Sequence, residues 1–211
     1  MPLALPLQVI SCNHAVTQSY GQMRLGIASA KGGSGKTSTS GLLALALLES
    51  GRSVRLTDND PQRALLQWME RLDLGFKKES HTSGILGEGT PSIEIADHAP
   101  AEPEALAQAL EGFDLILCPT QPSPLDVASA IALSKALKDP DKMRILWNAT
   151  DSTALSRSEN LSSMIEPHKL KACKSQIPRR AGIRYATLEG FSVLDETTKT
   201  AVLALALEIL R

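Results

Sequence analysis

The sequence predicts an α/β fold, a mainly parallel twisted sheet flanked by helices on both faces. Three observations predict it. Apolar runs of strand length alternate with helical stretches along most of the chain, the order that builds a parallel sheet through crossover helices. A glycine-rich loop, Gly32-Gly33-Ser34-Gly35, stands between the first such run and the first helical stretch. The 211 residues, 43% apolar and 21% charged, suffice for one sizeable core and have the composition of an ordinary folded domain.

The strand candidates are residues 25–28, 54–57, 93–96, 115–118 and 143–147. Between the first two, residues 37–50 are rich in Leu and Ala, and Gly51 follows, a residue suited to the left-handed position after a helix end. A second helix is expected at 64–71. Residues 74–91 carry Gly75, Gly84, Gly87, Gly89 and Pro91 and read as loop with one short edge strand. Glu94 is unusual within a buried strand. Helices follow at 104–111, 125–137, 161–166 and 196–210. Ser123 and Pro124 suit the cap and first turn of one, and Asp195 the cap of the last.

Residues 1–22 read as an uncharged N-terminal tail and 23–211 as a single domain. No Lys, Arg, Asp or Glu occurs before Arg24, so the tail lacks the features of a secretory or transit peptide. Met23 stands just before the first strand, and the expectation is that translation begins there or that the tail is accessory. The net charge of −1 argues against a strong whole-molecule attraction to nucleic acid or anionic lipid. Cys12, Cys118 and Cys173 are scattered without zinc-type or paired spacing, and no apolar stretch has membrane-spanning length. A reducing cytoplasm is the expected compartment.

The chemistry is carried by Lys31-Gly32-Gly33-Ser34-Gly35-Lys36-Thr37. Binding a nucleoside triphosphate needs many N–H donors converging on a small volume, and glycines offer donors without side chains in the way. The helix opening at Lys36 points its positive end at the same place. Lys36 adds a charge for the β- and γ-phosphates, and the Thr37 hydroxyl is placed to coordinate Mg²⁺. This is the phosphate-binding loop of a P-loop NTPase, except that Ala30 occupies the first glycine position and Lys31 follows it.

That departure resembles the deviant loop of the ParA/MinD family, whose extra lysine reaches across a nucleotide-sandwich dimer to the partner's phosphates. The resemblance extends from Arg24 to Arg211. By it, Lys31, Lys36 and Asp60 are the catalytic residues, and the ATP-binding set is Lys31, Gly32, Gly33, Ser34, Gly35, Lys36, Thr37, Ser38, Asn148 and Pro178. Asp58-Asn59-Asp60-Pro61-Gln62 looks like the family's D-x-D-P-Q motif, in which Asp60 handles the attacking water. Thr37 would bind Mg²⁺ directly, with Asp58 and Asp97 acting through water. Asp97 closes a strand similar to the family's Walker B, and His98 beside it reads as a packing residue. Pro119-Thr120-Gln121-Pro122-Ser123-Pro124-Leu125-Asp126 looks like the family's P-x-x-P-S-x-x-D segment. Asn148 matches an adenine-contacting asparagine, although a turn-forming role fits equally.

Lys169, Lys171, Lys174, Arg179, Arg180 and Arg184 form a basic run without an acidic residue from 169 to 187. Such a patch can hold duplex DNA without reading its sequence, or it can be a solvated loop. The resemblance implies an ATPase for plasmid or chromosome partition. It would dimerise with ATP and Mg²⁺, bind DNA nonspecifically on the nucleoid, and be released by hydrolysis that a ParB-type or cargo-adaptor protein stimulates. The alternatives are positioning of a protein cargo by the same engine, an organelle or chemoreceptor cluster, and a membrane-positioning role like that of MinD. The apolar last helix, with one basic residue, suits core packing rather than a membrane.

Overall fold

A computed structural model describes residues 22–150 and 163–211. Its elements, in chain order, are β1 (Met23–Ile27), α1 (Lys36–Glu49), β2 (Val54–Asp58), α2 (Ala64–Leu72), β3 (Lys77–Lys78), β4 (Ser83–Leu86), β5 (Ile93–Asp97) and α3 (Pro103–Ala109). There follow β6 (Leu115–Thr120), α4 (Pro124–Ala136), β7 (Met143–Thr150), β8 (Lys171–Ala172), β9 (Ile177–Pro178), α5 (Gly182–Glu189) and α6 (Glu196–Ile209). The sheet runs β3-β4-β2-β5-β1-β6-β7-β8, with β9 also paired to β7. The β2–β4 and β3–β4 pairs are antiparallel and the others parallel. The first strand therefore sits in the middle, and the loop after it leaves the sheet at a switch point, where parallel α/β sheets bind ligands.

Alternation along each strand divides the core in two. Leu25, Ile27, Val54, Leu56, Ile93 and Ile95 pack beneath α1, α2 and α6. Ala28, Ala96, Ile116, Cys118, Ile145 and Trp147 face α3 and α4. Helix α1 is apolar nearly all round because it lies between neighbours: Ser40 through Leu47 are all buried. It ends as its sequence requires, with Gly51 at φ 72° and bonds from Gly51 N to Leu48 O and from Arg52 N to Leu47 O, a Schellman closure. The two caps also form: Ser123 Oγ accepts from Asp126 N and Asp195 Oδ1 from Thr198 N.

Three features differ from the expectations. Residues 74–91 hold two strands, β3 and β4, an antiparallel hairpin on the edge of β2 rather than one strand. Its Lys77-Lys78 arm carries no apolar alternation to announce it. Helix α5 and the short strands β8 and β9 occupy a stretch in which no element was expected. Only Ala186 of α5 is buried, too little for a periodic signal. The helix expected at 161–166 begins outside the described residues; 163–165 are helical and run into a 3-10 turn, Glu166–His168.

Glu94 is accounted for by its neighbours. On the sheet face away from α1 its carboxylate accepts from Arg24 Nε at 3.0 Å and from Thr57 Oγ1 at 2.8 Å. The Arg24 guanidinium also lies 4.4 Å from the centre of the Phe113 ring. Arg24 is 43% exposed, so this charge pair sits at the rim of the α3–α4 layer, not within a closed core.

Candidate functional site

The loop between β1 and α1 has the conformation that phosphate binding requires. Gly33 and Gly35 adopt φ 73° and 95°, left-handed values that side chains rarely accept. A Cβ added at Gly32 or Gly33 would meet nothing within 4 Å, so the backbone there is open to close approach. Helix α1 has no side-chain cap at its N-terminus, which leaves its first N–H groups free for an anion. The Ser34 hydroxyl is buried and without a partner among the described residues. Lys36 is buried and donates to the Lys31 carbonyl at 3.2 Å, folded over the loop that a phosphate would fill. Burial lowers its pKa, against the pull of Asp97 and Asp60.

The structure brings Thr37 and Asp97 together. Thr37 Oγ1 donates to Asp97 Oδ2 at 2.7 Å, and Ser40 Oγ, one turn along α1, to Asp97 Oδ1 at 3.2 Å. Asp97 is 1% exposed, and burial, with Asp58 adding its charge, raises its pKa to about 6 despite the two hydroxyls. No group of three or more His, Cys, Asp or Glu side chains capable of holding a metal occurs among the described residues. A hydroxyl beside a carboxylate next to the phosphate loop suits a cation that keeps several waters and shares phosphate oxygens, the habit of Mg²⁺. Thr37 would hold it directly and Asp97 through water.

Asp58, expected to act on Mg²⁺ through water, is held by backbone N–H groups. Its buried carboxylate accepts from the backbone N–H of Asp60 at 3.0 Å, of Leu65 at 3.0 Å and of Leu66 at 3.3 Å. It thereby caps α2, whose own cap residue, Arg63, contributes no side-chain capping bond and sits at φ 52°. The Arg63 guanidinium returns to the Asp58 carbonyl. Asp60 is half-buried on this turn; its Oδ1 accepts from Gln62 N at 2.9 Å, which leaves Oδ2 for a water. Ser38 lines a cleft with Thr37, Gln67, Trp68, Arg71 and Thr187.

Lys31 projects from the loop with 45% of its side chain exposed, and its ammonium lies 2.6 Å from Asp126 Oδ2. Asp126 is itself buried and is also bonded by Ser123 Oγ. The motif containing Asp126 was quoted from sequence without a role for that residue. Two further contacts to the loop were not foreseen: Gln121 Nε2 donates to Gly33 O at 3.1 Å and Asn148 Nδ2 to Ser34 O at 2.7 Å. Ser40, Gln121 and Arg63 were missed as well, and only Ser40 carried a sequence signal, its position one helical turn beyond Thr37. His98 is buried edge-on against Phe113, 5.6 Å between ring centres, and burial next to Arg24 lowers its pKa to about 4. It is a neutral packing residue.

The basic run divides. Lys171 pairs with Asp141 at 3.3 Å, and the backbone N–H of Lys174 bonds Glu208, so Lys171 and Lys174 sit near carboxylates at the β8 edge, with Lys169 exposed. Arg179, Arg180 and Arg184 are exposed at the start of α5 and form no ion pair with another described residue. Pro178 pairs with Thr150 across the β7–β9 seam.

A glycine loop with left-handed turns, an uncapped helix, a buried lysine and a hydroxyl–carboxylate pair at one switch point define a P-loop nucleotide-binding domain. Residues 25–193 match the CobQ/CobB/MinD/ParA nucleotide binding domain, and the chain belongs to that family. It is 33% identical over 181 residues, 81% of this chain and 83% of the relative, to maintenance of carboxysome distribution protein A of Gloeobacter kilaueensis. The protein of the same name from Halothiobacillus neapolitanus is 30% identical over 192 residues, 81% of this chain and 86% of that one. In fold it is similar to the MinD cell division protein of Aquifex aeolicus, with a TM-score of 0.68 at 19% identity over 89% of this chain and 97% of the other. Among the described residues no helix is long and apolar enough to cross a membrane.

Proposed function

We propose that this chain is an ATP-hydrolysing switch that distributes a protein cargo over the nucleoid, dimerising with ATP and releasing DNA after hydrolysis. The observation that carries the reading is Lys31, an exposed lysine at the rim of the phosphate loop, in a chain whose relatives at 30% identity or more are named for carboxysome distribution. Those relatives favour protein cargo over plasmid or chromosome partition, the reading ranked first from sequence.

In this account the loop amides and Lys36 hold the β- and γ-phosphates. Thr37 and Asp97 would hold Mg²⁺, which when bound would neutralise charge at those phosphates. Asp60 Oδ2 orients a water toward the γ-phosphorus, and a water-borne proton passes to bulk as the β–γ bond breaks. Lys31 leaves Asp126 and crosses to the phosphates of a second copy, where its charge stabilises the transferred group. Arg179, Arg180 and Arg184 of two subunits together contact DNA phosphates. A partner that binds the cargo accelerates hydrolysis.

The test is binding to nonspecific duplex DNA with ATP, ADP or no nucleotide, for the wild type, Lys36→Ala and Arg179→Ala/Arg180→Ala. Binding with ATP alone is expected, lost in both variants, with ATP-dependent dimerisation kept in the double arginine variant. Equal binding in all three nucleotide states contradicts the switch. Deleting the gene in its host and imaging protein bodies alongside plasmid retention separates the two cargo classes: disordered spacing of bodies with normal retention is expected.

A further inference from the structure

The turn that carries Asp60 closes on itself between Asp58 and Arg63. Asp60 N donates to Asp58 Oδ1 at 3.0 Å, and Asp60 O accepts from Arg63 N at 3.0 Å. Gln62 N bonds one oxygen of the Asp60 carboxylate. Asp60 is near enough to Lys36 for its charge to oppose the effect of burial on that lysine's pKa, so the turn stands within electrostatic reach of the phosphate loop.

Asp58 is wholly buried, so its carbonyl needs a donor from the protein. The neighbouring hairpin does not provide one. Asp58 N donates to Thr82 O at 2.7 Å, but Thr82 gives its own N–H to Ser80 Oγ at 3.1 Å, so the two-way exchange of an antiparallel pair is made in one direction only. The Arg63 guanidinium takes the missing place and donates to the Asp58 carbonyl. It does so from a backbone at φ 52°, a left-handed value that costs a side-chain-bearing residue energy and that glycine accepts freely. Glycine at this position would relieve the backbone and leave the buried carbonyl without a partner.

We infer that Arg63 is a positioning residue for hydrolysis, a clasp that holds, through the Asp58 carbonyl, the turn from which Asp60 orients the attacking water. This rests on the reading of Asp60 as the water-orienting residue. The guanidinium, the Asp58 carboxylate and the Asp60 carbonyl tie the turn at three points, and only the first of these ties is made by a side chain from the far end of the turn.

The experiment measures hydrolysis of ATP with Mg²⁺ over a range of ATP concentrations for the wild type, Arg63→Gly, Arg63→Met and Arg63→Lys, together with hydrogen exchange of residues 60–65 without nucleotide. Arg63→Gly removes the guanidinium while suiting the backbone. Arg63→Met and Arg63→Lys share a long stem and differ in the donor, so their comparison decides the matter even if the glycine variant does not fold. In Arg63→Gly and Arg63→Met, kcat is expected to fall about tenfold with KM for ATP unchanged, and exchange at the Asp60 and Gln62 amides to quicken. Arg63→Lys is expected to keep most of the wild-type rate and protection. Wild-type kcat and exchange in the glycine and methionine variants, or an equal loss in the methionine and lysine variants, overturns the inference. A wild type that hydrolyses no ATP defeats the reading of Asp60, while the exchange comparison still decides whether Arg63 holds the turn.

Discussion

Asp97 is a buried carboxylate with two hydroxyl donors. With its pKa raised to about 6, the folded chain keeps a proton that the unfolded chain has released at lower pH, so this group's contribution to stability falls as pH rises from about 4 through 6. Nucleotide-free protein is expected to melt higher at pH 5 than at pH 7.5 because of it. Asp97→Asn should flatten that part of the difference and abolish the stabilisation that Mg²⁺ adds to ATP in a thermal melt; an unchanged pH difference contradicts the assignment. Lys31 and Asp126 make a second prediction at this scale. If the lysine must leave its own carboxylate to cross to a second subunit, Asp126→Asn lowers the ATP concentration at which dimers form. Titration by light scattering checks it, and a raised threshold counts against that path.

At the scale of elements, α1 is held to α2 by a close approach in its middle. Gly41 lies directly under the Trp68 ring, where a Cβ would overlap it, and Trp68 Nε1 donates to Ala186 O at 3.0 Å. One close approach thus seats α2 on α1, and one bond docks α5 on α2. Gly41→Val is expected to destabilise by about 2 kcal/mol through overpacking, whereas Ser123→Ala at the cap of α4 costs about 1 kcal/mol; chemical denaturation compares the two.

The parallel strands and main helices were legible because their apolar spacing reflects two buried faces: Leu25 and Ile27 point one way, Gly26 and Ala28 the other. The loop residues were legible because glycine chemistry and strand–helix context act locally. The hairpin β3–β4 and helix α5 were not, since Lys77-Lys78 and a helix with one buried residue carry no period. Nor could spacing reveal that Asp58 caps α2 or that Asn148 and Gln121 hold the loop. Those are contacts between segments, the last two 114 and 88 residues apart, and only the folded sheet brings them together.

At the scale of the molecule, a chain with a net charge of −1 gathers three exposed arginines at the start of α5. A single subunit offers few phosphate contacts and a dimer offers about six, enough for DNA affinity to fall about 1,000-fold between 50 and 200 mM salt. A much shallower dependence for the ATP-bound form contradicts the paired patch. The central claim is that Lys31 makes the phosphate loop complete only between two copies, with Asp60 needed to end that state. Sedimentation velocity with ATP and Mg²⁺ tests it most directly. Asp60→Ala is expected to run as a stable dimer and Asp60→Ala/Lys31→Ala as a monomer; a dimer that persists without Lys31 would contradict the account.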